Sequence, residues 1–377
     1  MPVKDRIVTW FIKNIIVPRR EIIDKPGFIV NTFSDKHHTT YLRELFLPEQ
    51  LFELIENKIV QHYGEEGKKT LYSAGKKFGY LYSSMSNFPT ILKTSKEEML
   101  DFSYLLVRFV ECTFSRGAKH EINLEEKLFN ITLKDYVICR HNGLGFFMAD
   151  GGIAGIWSYL MQDKSIEGIQ LECQGRGNDR CFITCAPEQK IKEKTDVFFQ
   201  EKDVLEYKFD KVYKAMNEIR ETTYSHNSLK QLLNAGFFSY SQGDLSFKTM
   251  RFFSCESHAL YVLEEEIVKL PNGDQLLFDA SFEYGQLLQK LYGFDDYQRF
   301  ITDFFPALGF GDIRVLRSDN PSVEVIYYPW SVFSDQSQYI IFRGILSGFI
   351  SSSIGRKIEF KNFQKTSRNY LTLLIRT

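Results

Sequence analysis

The chain has 377 residues, of which 44% are hydrophobic and 25% are charged. This length allows two or three domains with substantial cores, and the composition is that of an ordinary globular protein. Lysine and arginine total 47 against 48 aspartates and glutamates, so the net charge gives no sign of nucleic-acid binding. The 6 cysteines are scattered, which argues against a secreted disulfide framework and predicts a reducing, cytoplasmic location. Because Lys13 interrupts the first apolar run, neither a signal peptide nor a membrane span is expected.

Residues 1–25 are predicted to contain an amphipathic helix. Ile7, Phe11 and Ile15 are among the apolar residues that recur on one face between residues 3 and 17, and Pro18 ends the helix. The favoured interpretation is that this face packs on the protein's own core or on a second subunit. The alternative is that the helix touches a membrane surface or docks on a partner.

Residues 26–187 are predicted to form the first domain. A strand is expected at residues 28–30, followed by helices at residues 48–63, 68–85 and 95–114 and by strands between residues 122 and 140. Pro48 and Gly64 bound the first helix, and the third starts with a capping box of Ser95 and Glu98. Helices followed by strands and one further helix indicate an α+β domain, with a helical layer on a small antiparallel sheet.

Residues 164–186 predict a β-hairpin that brings two cysteines together. Gly175, Gly177 and Asn178 fall in the turn between two apolar strands, because these residue types favour tight turns. The turn places Cys173 and Cys181 close to each other on paired strands. Upstream, the glycine-rich run at residues 151–157 predicts the start of a closely packed helix.

This arrangement resembles the end of the 4-vinyl-reductase domain, a hydrocarbon-binding family related in fold to the core subunits of the vesicle-tethering TRAPP complexes. The resemblance spans roughly residues 46–186, and these residues carry it: Gly155, Glu172-Cys173, Gly177-Asn178-Asp179-Arg180-Cys181-Phe182, Leu71-Tyr72-Ser73-Ala74-Gly75 and Phe78-Gly79. It implies an apolar pocket of the kind thought to hold hydrocarbons, tetrapyrrole precursors or acyl chains. It also implies a metal, because the family's cysteines have been suspected of binding one.

The aromatic residues of this domain are the candidates to line such a pocket. The expected ligand-binding residues are Phe78, Tyr82, Phe109, Phe146, Phe147 and Trp157. An aromatic stripe at helical spacing is also what an ordinary close-packed core requires, so both interpretations stay open.

Four residues are the candidate ligands of a zinc ion: Cys173, Cys181, Cys139 and His141. Cys139 and His141 are expected to share one face of a strand, because side chains alternate along it. Cys185 is excluded from a site shared with Cys181, since four residues of strand separate their Cα atoms by about 13 Å. The alternative is that the cysteines are buried thiols that act as small apolar side chains.

Residues 188–226 are predicted to form a helical connector, and residues 227–377 a second, degenerate copy of the first domain. In the connector, Leu205, Phe209 and Val212 belong to a series spaced three or four residues apart. Four segments align with the first domain: 277–285 with 71–79, 343–346 with 154–157, 358–360 with 169–171, and 370–373 with 181–184.

The second copy lacks the cysteine pair in this alignment, because Asn362 and Tyr370 replace Cys173 and Cys181. Two tandem copies would form a pseudo-twofold pair within one chain, either as a monomer with an internal dimer or as a homodimer. The family's tendency to dimerise is what suggests this pairing.

Catalysis is not expected, because no nucleophile elbow, phosphate loop, zinc-protease or dinucleotide motif is found. The favoured function is that of a sensor that binds a small hydrocarbon, acyl or tetrapyrrole-like molecule and acts through a protein partner. A scaffold of the tethering type is one alternative. A metal-dependent protein of tetrapyrrole or aromatic metabolism is the other.

Overall fold

The computed structural model describes residues 20–34, 39–139, 147–205, 224–241, 244–293, 296–316, 320–329, 337–366 and 372–377. The helix expected at residues 3–17 lies outside these ranges. Within them the chain has the expected α+β fold, and its sheets are antiparallel. Among the described residues, no helix combines the length and the apolar character that crossing a membrane requires.

The first half of the chain has three strands, three helices, a strand pair, a fourth helix and a second strand pair. Its strands are β1 (Arg20–Lys25), β2 (Phe28–Ser34), β3 (Thr39–Pro48), β4 (Gly117–Asn123), β5 (Leu128–Lys134), β6 (Ile166–Glu172) and β7 (Cys181–Pro187). Its helices are α1 (Glu49–Tyr63), α2 (Glu65–Met85), α3 (Lys96–Phe114), α4 (Phe147–Met161) and the short α5 (Glu188–Lys192).

The second half has the same order of elements after one short helix. Its strands are β8 (Ser239–Ser241), β9 (Asp244–Phe247), β10 (Met250–Glu256), β11 (Asp312–Leu316), β12 (Ser322–Ile326), β13 (Asn362–Lys365) and β14 (Thr372–Arg376). Its helices are α6 (Leu229–Asn234), α7 (His258–Ile267), α8 (Gly273–Tyr292), α9 (Tyr297–Ala307) and α10 (Ile340–Ile354).

A six-stranded sheet joins the two halves. Its strand order is β1-β2-β3-β10-β9-β8, and the central pair is antiparallel, with Phe252 opposite Pro48 and Glu256 opposite Glu44. Each half also has a four-stranded sheet, in the orders β4-β5-β7-β6 and β11-β12-β14-β13. One hydrophobic core extends from β2 to β14, so the halves share their interior.

The bounds predicted for α1 and the start predicted for α3 are confirmed, whereas α2 begins at Glu65 rather than at residue 68. Pro48 precedes α1 in an extended conformation, and Gly64, with φ of 59°, follows its last residue. The Ser95 side chain accepts a hydrogen bond from the backbone N–H of Glu98, and the Glu98 side chain accepts one from the backbone N–H of Ser95, which completes the capping box of α3.

Helices α2 and α4 touch along their backbones through glycines. A methyl group on Gly75 or Gly79 would overlap the carbonyl oxygen of Met148 or Gly152 in α4. Likewise, a methyl group on Gly151 would overlap the carbonyl oxygen of Tyr72 in α2. Such an approach leaves no room for a side chain, so glycine is required at these positions.

Helices α8 and α10 of the second half make the same kind of contact. A methyl group on Gly344 would collide with the backbone of Phe278 and Phe282, as one on Gly151 would with Tyr72 and Lys76. By these contacts Gly344 corresponds to Gly151. The sequence alignment, which matches Gly344 to Gly155, is therefore shifted by one helical turn.

Three other sequence expectations need correction. The boundary at residue 25 falls inside a hairpin, because β1 pairs with β2 along its whole length. Asn362 begins β13, whereas Cys173 follows the end of β6, so these residues do not occupy equivalent places; Tyr370 lies outside the described residues. The prediction of a helical connector is wrong for residues 193–205, because they form no helix. Residues 206–223 lie outside the described residues.

Tertiary contacts hold residues 193–205 of the connector on the first half. The Phe199 ring lies 5.7 Å from that of Tyr72, and the backbone N–H of Glu201 donates to Glu167 at 3.0 Å. These contacts outweigh the helical periodicity of the segment.

The adjacent glycines of α4 offer a test of the helix contact. Gly151→Ala is expected to lower the free energy of unfolding by roughly 1–3 kcal/mol or more, since its methyl group has no space. Gly152→Ala is the matched control: its methyl group would meet nothing closer than 3.9 Å, so stability should be unchanged or higher by up to about 1 kcal/mol. Urea unfolding measures both variants, and equal stabilities would contradict the contact.

Candidate functional site

An apolar cavity of about 110 Å³ lies between α2, α3 and α4 of the first half and β10 of the second half. The α3 helix contributes Leu106, Phe109, Val110 and Phe114 to its wall, and α4 contributes small residues such as Ala149 and Gly152. Enclosed apolar surface with a few polar groups at its edge is typical of sites that bind small molecules.

Aromatic rings form a continuous part of the cavity wall. The rings of Phe78 and Tyr82 are 5.9 Å apart on α2. The Phe114 ring lies 6.0 Å from Phe109 and 5.7 Å from Phe253, so it connects α3 to β10. These tilted rings offer both faces and edges, which suits a flat or aliphatic guest.

The carboxylates at the edge of the cavity are bonded to other protein groups. Glu44 accepts hydrogen bonds from the Asn31 amide at 2.7 Å and from the Ser254 hydroxyl at 3.0 Å. Glu256 accepts one from the backbone N–H of His258 at 2.9 Å. A molecule in the cavity would therefore meet mainly apolar surface.

The structure separates the six residues predicted to line one pocket. Phe78, Tyr82 and Phe109 line this cavity together. Phe147 lines a different cavity, at the start of α4, and Phe146 lies outside the described residues.

Trp157 belongs to the packed core rather than to the cavity wall. Its ring stacks on Phe129 at 5.2 Å, and its indole N–H donates to the carbonyl oxygen of Lys127 at 2.8 Å. Trp157 lines a separate apolar cavity of about 20 Å³ beside the four-stranded sheet, so it does not share a cavity with Phe78, Tyr82 and Phe109. Conversely, sequence reasoning missed Phe253 and Cys255, whose place in the wall depends on strand pairing between the two halves.

Three thiols converge beside the hairpin turn. The Sγ atoms of Cys139, Cys173 and Cys181 all lie within 4.8 Å of one another, and the three residues are buried. Cys185 is also buried but is not part of this group, as the strand spacing predicted. The hairpin positions two of the thiols, since the backbone N–H of Cys173 donates to the Asn178 side chain at 3.0 Å across the turn.

Cys139 lies after the end of β5 and not, as was expected, on a strand. It follows β5, which ends at Lys134, and the backbone at Ile138 adopts a φ of 71°. Cys139 is therefore not on a strand face shared with His141, which lies outside the described residues. The Gln170 amide contacts it instead, with Nε2 3.2 Å from Sγ.

The three thiols influence one another's protonation. Hydrogen bonds from Cys139 and from Cys181 lower the pKa of Cys173, and burial raises the pKa of Cys139. The hydrogen bond to Cys139 lowers the pKa of Cys181, but the bond to Cys173 and burial outweigh it and raise the pKa to about 12. Of the three thiols, Cys173 is therefore the one that loses its proton most readily.

The same geometry is compatible with a zinc ion. Tetrahedral zinc with Zn–S bonds near 2.3 Å holds its sulfurs roughly 3.8 Å apart, within the spacing of these thiols. A cation would also favour the thiolate form of all three cysteines. Cys139, Cys173 and Cys181 are thus able to hold a metal, with a fourth ligand still required for a closed site.

A buried ion pair lies on the other side of α2. Lys76 Nζ is 2.7 Å from Glu167 Oε1, and both side chains are fully buried. Glu167 also accepts hydrogen bonds from the Tyr72 hydroxyl at 2.7 Å and from the backbone of Glu201 at 3.0 Å. Burial lowers the pKa of Lys76 and raises that of Glu167, while their mutual attraction acts in the opposite direction.

No family model matches this chain, and no curated protein matches it. Among solved structures, the chain is similar to the phenol-responsive sensory domain of the transcription activator PoxR, solved with phenol. The two share 18% sequence identity and a TM-score of 0.33, and the match covers 52% of this chain and 100% of that chain. A likeness this weak carries no argument about what this chain binds.

The buried ion pair is expected to be costly to break. Lys76→Met leaves the Glu167 carboxylate buried without its cation, and should lower the free energy of unfolding by about 3–5 kcal/mol. Lys58→Met, which breaks the more exposed pair with Glu283, should cost less than about 1 kcal/mol. Adding Glu167→Met to Lys76→Met should recover only part of the loss, because it also removes the acceptor of the Tyr72 hydroxyl and of the Glu201 N–H. Chemical denaturation compares the variants, and a Lys76→Met protein as stable as Lys58→Met would refute this role.

Proposed function

We propose that this protein binds a small apolar molecule in the cavity between α2, α3, α4 and β10, and that it acts as a sensor rather than as an enzyme. The observation that carries this proposal is the aromatic wall formed by Phe78, Phe109 and Phe253 along one apolar cavity. A close-packed core would leave no such space between large side chains.

The size of the cavity limits the ligand. An engineered apolar cavity of about 150 Å³ accepts benzene, so a cavity of about 110 Å³ suits a single small ring or a short aliphatic chain. A tetrapyrrole would require the surrounding helices to move apart. We therefore favour a one-ring hydrocarbon or short acyl ligand among the classes that the sequence resemblance implies.

We also propose that the two halves are copies of one unit of the 4-vinyl-reductase type. Both have the same order of elements and the same strand order in their four-stranded sheets. The packing between the halves is reciprocal, since α1 packs on α8 and α7 packs on α2. In each half a buried glutamate, Glu56 or Glu264, accepts a hydrogen bond from the start of the glycine-rich helix, at Met148 or Ile341.

The second half offers a route from ligand to output. Its strand β10 supplies Phe253 and Cys255 to the cavity wall, so a bound molecule would touch both halves at once. Ligand binding would then stabilise the interface between the two halves. The stabilisation would grow with the affinity of the ligand for the packed form of this interface. We propose that a protein partner reads this change on the second half.

A second candidate function is favoured by the three converging thiols. We propose that Cys139, Cys173 and Cys181 hold a structural zinc ion that fixes the hairpin to the end of β5. A metal at this place would stabilise the first half without taking part in chemistry, because structural zinc sites contribute directly to folding.

Toluene binding tests the proposed ligand site. Calorimetric titration of the full chain with toluene should give saturable binding, because the guest exchanges water for apolar surface. Ala149→Leu fills part of the cavity from α4 and should weaken binding at least about tenfold. Ala235→Leu makes the same change on an exposed residue after α6 and should leave binding unchanged. Wild-type protein that binds no toluene, or an Ala149→Leu protein that binds it normally, would refute the site.

Elemental analysis tests the metal. Protein purified without chelator should contain about one zinc per chain, and Cys173→Ser should remove it, since a hydroxyl is a poor zinc ligand. Cys185→Ser is the matched control, because this thiol lies on the same hairpin outside the group, and it should keep the zinc. Equal zinc content in both variants, or none in the wild type, would show that the thiols are not a metal site.

A further inference from the structure

A second cavity, of about 230 Å³, lies at the start of α4 and shares no lining residue with the first. It is bounded by α2, β6, the hairpin turn and the non-helical segment 193–205. Its lining mixes aromatic rings with charged side chains of both signs, so its chemistry differs from that of the apolar cavity.

Asp150 is the most buried charged residue of this cavity. It is 5% exposed, and its Oδ1 atom has no hydrogen-bond partner. A carboxyl oxygen withdrawn from water without a partner is costly, so the site lacks a hydrogen-bond donor. A bound molecule with an N–H or O–H group at its inner end would supply one.

Cationic side chains lie at the open side of the cavity. Arg176 is exposed, and its guanidinium donates to the carbonyl oxygen of Gln170 at 2.9 Å and to the sulfur of Cys173. Its guanidinium has five N–H donors, so most of its hydrogen-bonding capacity is available to an anion. Lys68 is also part of the lining and pairs with the exposed Glu65.

Aromatic rings form the walls between the buried acid and the exposed cations. The Phe199 ring lies 5.9 Å from Phe147 and 5.7 Å from Tyr72, in an arrangement suited to a flat guest. Phe199 belongs to segment 193–205, which is held in place by the ion pair between Glu201 and Lys77 at 3.4 Å.

The second half fills the corresponding place with its own side chain. Arg343 precedes Gly344 as Asp150 precedes Gly151, and these two glycines make the same helix contact. The Arg343 guanidinium donates to the carbonyl oxygens of Gln338, Phe360 and Lys361 at 2.7–3.0 Å. In the second half, Arg343 thus has acceptors for its hydrogen-bond donors. In the first half, the Asp150 carboxyl group faces the cavity, and its Oδ1 atom has no hydrogen-bond partner.

We propose that this cavity binds a single-ring aromatic molecule with a hydrogen-bond donor at its buried end, facing Asp150, and an anionic group at its open end, facing Arg176. The ring lies against Phe147 and Phe199. This site is independent of the apolar cavity, since the two differ in location, size and charge.

Calorimetric titration of the full chain with 4-aminobenzoate tests the proposal. Aniline lacks the anion and benzoate lacks the donor, so each should bind about tenfold more weakly or worse. Arg176→Gln and Asp150→Asn should each weaken 4-aminobenzoate binding about tenfold or more. Arg299→Gln, which changes an exposed arginine of α9, should leave it unchanged.

Two readouts separate this site from the others. Ala149→Leu should leave 4-aminobenzoate binding intact, and Arg176→Gln should leave toluene binding intact. Because Arg176 is exposed, its variant remains informative even if Asp150→Asn fails to fold. The proposal is overturned if the wild type does not bind 4-aminobenzoate, if Arg176→Gln binds it normally, or if Ala149→Leu abolishes binding.

Discussion

The backbone contact between α2 and α4 is the constraint on which the arrangement of the first half depends. Gly75, Gly79 and Gly151 allow the two helices to touch without side chains between them. This contact fixes the position of α4, which lines the apolar cavity with Ala149 and the charged cavity with Asp150. Both candidate sites therefore share one rigid support, and a change in the helix contact would alter both of them.

The second constraint is that neither half is structurally independent. The pairing of β3 with β10 joins the halves into one sheet, and the core is continuous through both. As a result Phe253, far along the chain, completes an aromatic wall that starts with Phe78 on α2. A site built from both halves gives ligand binding a direct effect on the interface, which a site enclosed in one half would lack.

Local signals in the sequence were sufficient for the helices and for the paired thiols. Ser95 with Glu98 placed the start of α3, and the turn around Gly177 brought Cys173 to Cys181. Long-range contacts were not accessible in this way. The periodicity of the connector predicted a helix, but residues 193–205 form none and are held on the first half by contacts such as that of Glu201 with Glu167.

Two further predictions were wrong because the spacing of residues along a helix does not show which neighbours they contact. Glycines four residues apart in α4 fit either of two alignments with α10, and only the contact of Gly151 with α2 distinguishes them. Trp157 had the spacing of a pocket residue but stacks on Phe129 in the core.

The most direct test of the apolar cavity as a ligand site is a crystal structure of the protein soaked with bromobenzene, with the bromine located by anomalous scattering. The account predicts a peak enclosed by Phe78, Phe109 and Phe253; side chains that fill this space, with no bromine there, would contradict it.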